Sequence, residues 1–169
     1  MSQLLALSVS VAVLGAIWSW ICLGPLNGDL LVWVGFIGAG CFFAAGGDQK
    51  ALVRTIVGIV YGAVVAWITL MIINKVAVPS LGAVWPAIVI GVLVFFLVIV
   101  AQIDVLSVVP ANVYGFAMVA GYTLAKGNMD DLTSASIANP LILVAISGVC
   151  GGVLGYLMGQ VANAIKAKA

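Results

Sequence analysis

The chain has 169 residues, of which 65% are hydrophobic and 7% are charged, and its formal net charge is +1. A typical soluble domain carries about 25% charged residues, so this chain has too few charges to cover a water-exposed surface. The composition excludes a soluble globular domain and a disordered chain, and the small net charge gives no basis for a nucleic-acid partner.

Six apolar segments follow one another along the chain, separated by Pro, Gly, Asn or charged residues. A bilayer core of about 30 Å requires roughly 20 apolar residues in a helix, which predicts six transmembrane helices. They cover residues 4–23, 30–45, 52–73, 83–103, 106–125 and about 140–165. The second would be about 24 Å long at 1.5 Å per residue, which is short for a span.

Membrane strands are the alternative to helices, because Val and Ile are abundant. Barrel strands alternate between apolar and polar residues over about ten positions, whereas these segments are longer and apolar on every side. The first segment lacks a basic start and an obvious cleavage site, so it is interpreted as a helix rather than a signal peptide. The predicted fold is therefore an all-α integral membrane protein, with one membrane domain over residues 1–169.

Lysine and arginine positions weakly favour a cytoplasmic location for both termini, since positive charge collects on the inner side. With the N-terminus inside, the outer side would hold Lys75 and Lys126. The inner side would hold Lys50, Arg54, Lys166 and Lys168.

Residues of about 4–76 and about 83–165 show a similarity that predicts an internal repeat. A shift of 80 residues places Gly35 on Gly115, and a shift of 90 places Gly58 on Gly148 and Gly62 on Gly152. Each unit would contain three helices, so the second would cross the membrane in the opposite orientation, as in the inverted repeats of many transporters and channels. The alternative is chance similarity, since Gly, Ala and Val are frequent throughout.

The second and fifth helices are the candidates to line a solute path. One is short and the other contains Pro110 near its start, and such segments at matching positions of two repeats point to a site. The predicted path residues supply close backbone approach, aromatic rings or polar groups: Gly35, Gly38, Phe42, Phe43, Gln102, Asp104, Asn112, Tyr122 and Thr123. The alternative is that the glycines only pack helices and that Asp104 is a hydrated cap near the start of the fifth helix.

Small residues four positions apart in the third and sixth helices predict close helix packing. These are Gly58, Gly62, Gly148, Gly152 and Gly155. Two glycine faces on one helix also suggest contact with a neighbouring copy, so a homo-oligomer is expected. Asp29 precedes the second helix and is predicted to be its N-cap.

The chain contains no His and no Glu, and no predicted span carries a charge at its centre. Imidazole and glutamate chemistry are therefore excluded, and we expect neither an enzyme nor a cofactor or metal site. Cys22, Cys41 and Cys150 each lie in an apolar run and are interpreted as small buried hydrophobic residues. An uncharged membrane core favours passive conduction over ion-coupled pumping.

The run from Trp33-Val34-Gly35-Phe36 to Gly46-Gly47, together with the six-span length, resembles a family of small bacterial inner-membrane proteins of unknown function, the YcdZ-like family. The resemblance implies a bacterial inner (plasma) membrane and brings no substrate or site residue. The sequence favours a channel or facilitator, embedded in the lipid bilayer, for a small neutral or weakly charged solute. The alternatives are a secondary transporter or exporter and a non-conducting structural subunit.

Overall fold

The computed structural model describes residues 2–167, and each of the six predicted segments corresponds to one α-helix there. The helices are α1 (Gln3–Leu23), α2 (Val32–Ala44), α3 (Gln49–Lys75), α4 (Val84–Ile99), α5 (Val109–Lys126) and α6 (Pro140–Ala167). Short 3-10 turns occupy Pro79–Leu81, Val100–Gln102, Asp104–Leu106 and Met129–Thr133. Lys168, which was assigned to the inner side, lies outside the described residues.

Capping decides where α2 and α3 begin. The Asp48 carboxylate accepts a 2.7 Å hydrogen bond from the Ala51 N–H, so α3 starts earlier than the predicted residue 52. The prediction that Asp29 caps α2 is wrong. The N-cap of α2 is Leu31, whose N–H donates to Ser147 Oγ of α6 at 3.0 Å. The start of α2 is therefore held by a hydrogen bond to α6, which is distant in the sequence.

Within residues 2–167, four helical stretches are long and apolar enough to cross a membrane: α1, α3, α6 and α4 with its 3-10 extension, Val84–Gln102. Helix α2 has 13 residues and is about 20 Å long. Large apolar side chains cover the exterior, among them Trp20, Phe95 and Leu124, which are 67%, 61% and 65% exposed. Such an exterior matches lipid rather than water, and the chain is an all-helical membrane protein.

Helices α3 and α6 cross at the centre of the molecule, and the other helices pack on them. Helix α2 lies along α6 and α5 lies along α3, while α1 packs on α6 and α4 packs on α3. A Cβ added to Gly148 would lie 2.7 Å from Ile59 Cγ2, and one on Gly152 would lie 3.2 Å from Ile56 Cγ1. Because the contact moves backwards along α3 as it advances along α6, the two central helices run antiparallel.

Helices α2 and α6 run in the same direction with their backbones in contact. A Cβ on Gly151 would overlap the backbone of Gly35, and one on Gly155 would lie 2.9 Å from Ala39 Cα. No side chain fits between the helices at these points, since the neighbouring atoms are backbone and cannot turn aside.

Helices α3 and α5 make a second contact of the same kind. A Cβ on Gly58 would lie 2.8 Å from Asn112 Oδ1, and one on Gly62 would lie 2.8 Å from the backbone nitrogen of Phe116. Because the contact moves forward along α5 as it moves forward along α3, these two helices run in the same direction. The main apolar core lies around these central helices and includes Val34, Ile59, Met118 and Val144.

Candidate functional site

Helices α2 and α5 meet along an open seam that carries a groove at each end. The first groove, of about 400 Å³, is lined by residues from the start of α2 and the end of α5: Leu31, Trp33, Gly121, Tyr122, Ala125 and Lys126. The second groove, of about 380 Å³, lies at the opposite end of the pair and is lined by Ile37, Gly40, Cys41, Ala44 and Tyr114. Both are concave surfaces with mainly apolar walls.

Small residues keep the seam open. A Cβ added to Gly40 or to Gly121 would meet no atom within 4 Å, so these glycines are not needed for packing inside the chain. Ala117, Gly121 and Ala125 follow one another at four-residue intervals on the exposed face of α5. The missing side chains therefore widen the grooves, whereas the glycines facing α3 and α6 allow backbones to touch.

Most of the predicted path residues of α2 lie in helix contacts rather than in the grooves. A Cβ on Gly38 would lie 2.7 Å from Gly148 O, and Gly35 faces the Trp18 indole. Phe42 is fully buried and makes edge-to-face contacts with Phe43 and Tyr156, at centroid distances of 5.3 and 6.1 Å. These side chains fill the interior beside α6.

The predicted residues of α5 separate into two environments. Tyr122 lines the first groove, whereas Thr123 is buried and its hydroxyl donates to Val119 O at 2.8 Å. Asn112 is fully buried, and its Nδ2 donates to Leu97 O at 3.3 Å and to Leu106 O at 3.1 Å. Asn112 therefore ties α5 to the end of α4, while its Oδ1 has no partner among the described residues.

Gln102 and Asp104 lie beyond the end of α4, away from the seam. Gln102 borders a shallow apolar groove on the exposed face of α4. Asp104 is not in the first turn of α5, which begins at Val109, and its carboxylate instead forms an ion pair with Arg54 of α3. The expectation that Asp104 lies at the positive end of the α5 helix dipole is therefore wrong.

The five glycines predicted to pack helices lie in contacts inside the chain. Gly58 and Gly62 face α5, Gly148 and Gly152 face α3, and Gly155 faces α2. Gly40 and Gly121 of the seam, by contrast, face open space.

The structure does not bring the nine predicted path residues to one cavity; of them, Tyr122 lies in a groove of the seam. Sequence reasoning missed Trp33, Tyr114 and Gly121 as lining residues. Small residues at four-residue intervals, Gly40 with Ala44 and Ala117 with Gly121, were the available signal. The pattern alone could not tell which glycines face a neighbouring backbone and which face open space.

Comparisons with known proteins give a family and two named relatives. The profile of the family described as "Protein of unknown function (DUF1097)" matches residues 8–163. The protein of Escherichia coli strain K12 named "Inner membrane protein YcdZ" is 28% identical over 116 residues, covering 68% of each chain. The protein of the same name from Salmonella typhimurium strain LT2 is 30% identical over 116 residues, covering 68% of this chain and 69% of its own. No solved structure matches.

Proposed function

The chain belongs to the DUF1097 family, and on this premise we propose that it is a multi-pass channel or facilitator of a bacterial inner membrane. The names of the two relatives support that location. The solute is small and neutral or weakly charged. The observation that carries the proposal is the pair of grooves at opposite ends of the α2–α5 seam.

The lining of the grooves favours passive passage. Trp33, Tyr114 and Tyr122 contribute aromatic surface, and Lys126 at the end of α5 contributes the one charge among the lining residues. Hydrophobic constrictions gate passage by dewetting, and passive passage does not need the buried carboxylates that ion-coupled pumps require. The solute would enter one groove, cross the apolar middle of the seam, and leave through the other.

An inverted repeat accounts for this arrangement. The packing of α2 on α6 matches that of α5 on α3, and the packing of α1 on α6 matches that of α4 on α3. A shift of 77 residues takes Gly35 to Asn112 and Ala39 to Phe116, which occupy the matching contacts. This register replaces the sequence-based shift of 80 residues between α2 and α5.

The central helices support the same relation. A shift of 93 residues takes Gly58 to Gly151 and Gly62 to Gly155, and each pair faces a parallel neighbouring helix. The repeats would be related by a pseudo-two-fold axis in the membrane plane that passes between α2 and α5. All six helices would then cross the membrane, and the two grooves would open to opposite sides.

Orientation follows from charge. The start of α3 and the end of α6 lie at the same end of the molecule, because these helices run antiparallel. That end carries Lys50, Arg54 and Lys166, whereas Lys75 and Lys126 lie at the other end. The positive-inside rule then places both termini in the cytoplasm.

A homo-oligomer completes the path. The seam is open on one side, so a solute in either groove would be exposed to lipid in a single chain. A second copy packed against the exposed small residues of the seam would close that side, since such residues allow helices to approach closely.

Solute flux through proteoliposomes tests the function. The purified chain is expected to pass at least one member of a panel of small neutral and weakly charged solutes faster than empty liposomes. The variant Gly121→Leu should reduce this flux, because the new side chain enters the first groove without a clash in the interior.

Gly91→Leu is the matched control. It places the same side chain on exposed α4, where an added Cβ also meets no atom within 4 Å. Equal flux in the two variants would contradict a path along the seam. Flux at the level of empty liposomes for every solute would instead favour a structural subunit, and saturable, gradient-driven flux would favour a transporter.

A further inference from the structure

A groove of about 340 Å³ with charged side chains in its lining lies where the first turns of α3 meet the connection between α4 and α5. It is lined by Gln49, Lys50, Val53, Arg54, Asp104 and Val105 and is called here the basic groove. Its two cations outnumber its single carboxylate. It is separate from the seam and shares no lining residue with either groove there.

The cations of the basic groove have N–H donors that are not used in hydrogen bonds within residues 2–167. Lys50 and Arg54 are four residues apart and therefore lie on one face of α3. A guanidinium carries five N–H groups, and among the described residues that of Arg54 donates one hydrogen bond, from Nη2 to Asp104 Oδ1. Arg54 Nε is buried without a partner among the described residues. The protein by itself therefore leaves part of this positive charge unsatisfied.

Asp104 adds acceptors to the same groove. Its side chain is 77% exposed, and a carboxylate has about four acceptor positions, of which Arg54 occupies one. A ligand that carries an anionic group and also an N–H donor would match both halves of the groove. A simple anion would match the cations but would be repelled by Asp104.

The position of the basic groove favours a membrane component. Arg54 lies about 7–8 Å along α3 from its start, at 1.5 Å per residue, so it lies near the boundary between headgroups and hydrocarbon. Long basic side chains at this depth extend along the helix towards the interface, and basic pockets between membrane helices bind lipid headgroups.

We propose that the basic groove binds a phospholipid headgroup with a primary ammonium. The phosphodiester would accept hydrogen bonds from Lys50 and Arg54, and the ammonium would donate to Asp104. The headgroup would bring one negative and one positive charge, which would match the cations and the carboxylate of the groove, respectively.

Native mass spectrometry of the full chain, released from vesicles, tests this proposal. From vesicles of phosphatidylethanolamine the chain should retain lipid, and Lys50→Gln should lower retention about fivefold, as expected for one lost cation at the membrane surface. Lys75→Gln, which removes the same charge at the opposite end of α3, is the matched control and should retain lipid normally. Lys50 takes no part in the ion pair between Arg54 and Asp104, so Lys50→Gln leaves that ion pair intact and is expected to fold normally. Equal retention in the two variants would overturn the proposal.

Two further arms identify the ligand. Phosphatidylcholine has no N–H on its headgroup, so it should be retained less than phosphatidylethanolamine, and Asp104→Asn should remove this difference. Equal retention of the two lipids by the unmodified chain would overturn the role of Asp104. Displacement of bound lipid by millimolar inorganic phosphate would show that the groove takes free phosphate, and would overturn a headgroup site.

Discussion

Asn112 of α5 is a fully buried amide that links α5 to the end of α4. Its Nδ2 binds carbonyl oxygens of Leu97 and Leu106, which lie where the backbone leaves helical geometry after α4. Carbonyls at a helix end have lost their usual N–H partners, so a side-chain donor there replaces a missing backbone hydrogen bond.

We expect Asn112→Ala to lower the free energy of unfolding by about 1–3 kcal/mol, because it leaves buried carbonyls unpaired. Thermal denaturation in detergent measures this loss. Asn163→Ala serves as control, since its Oδ1 accepts an exposed hydrogen bond from Gln3 near the chain ends. The same melting temperature for both variants would show that Asn112 does not hold α4 and α5 together.

The sequence identified Asn112 as an unusual polar residue but not its role. An amide inside an apolar helix is visible in the sequence, whereas its partners depend on where α4 ends and how α5 packs. Phe42 shows the same limit from the apolar side. Its ring would fit either a constriction or a core. It is buried in the core because Gly155 of α6 leaves room for it there.

At the scale of secondary-structure elements, helix-breaking residues in the sequence predict well where the helices begin and end. Gly46 and Gly47 adopt φ values of 114° and 71°, which side chains rarely tolerate, so α2 ends and α3 begins within a short turn. The register between helices was less predictable. The sequence shows which positions are glycine, whereas the packing depends on what each glycine faces: Gly38 faces the backbone of α6, and Gly40 faces open space.

Gly38 and Gly40 of α2 provide a direct test of helix packing. Gly38→Ala should destabilise the protein by about 1–3 kcal/mol, because its Cβ would press on the backbone of α6, which cannot move aside. Gly40→Ala should leave stability unchanged or slightly higher, since Ala is the better helix former and meets open space. Melting temperatures in detergent distinguish the two, and equal values would mean that α2 and α6 are not in close contact.

At the scale of the whole molecule, composition predicted a membrane protein, and the helices with their apolar exterior confirm it. The resemblance inferred from the Gly-rich run is confirmed by the family match over residues 8–163. Length and hydropathy identify four spans, which leave out α2, with its 13 residues, and α5, whose 18 residues include Pro, Asn and Lys. That α2 and α5 also cross the membrane is a prediction from the packing directions of the helices.

Cysteine labelling tests the number of spans. In a background with Cys22, Cys41 and Cys150 replaced by Ala, single cysteines at Asp29 and Gln49 flank α2. A membrane-impermeant maleimide added outside intact cells should label the cysteine at Asp29 and not the one at Gln49. Labelling of both from the same side would contradict a crossing by α2 and, with it, the inverted repeat.

The hydrogen bond from Leu31 to Ser147 has a consequence for how the protein is made. Ribosomes deliver about 5–20 residues per second, so α2 leaves the ribosome several seconds before α6 exists. Until then its first N–H lacks this acceptor, and its glycine face lacks the backbone that it contacts in the folded chain. The second helix to be synthesised therefore gains these contacts only after the sixth has been made.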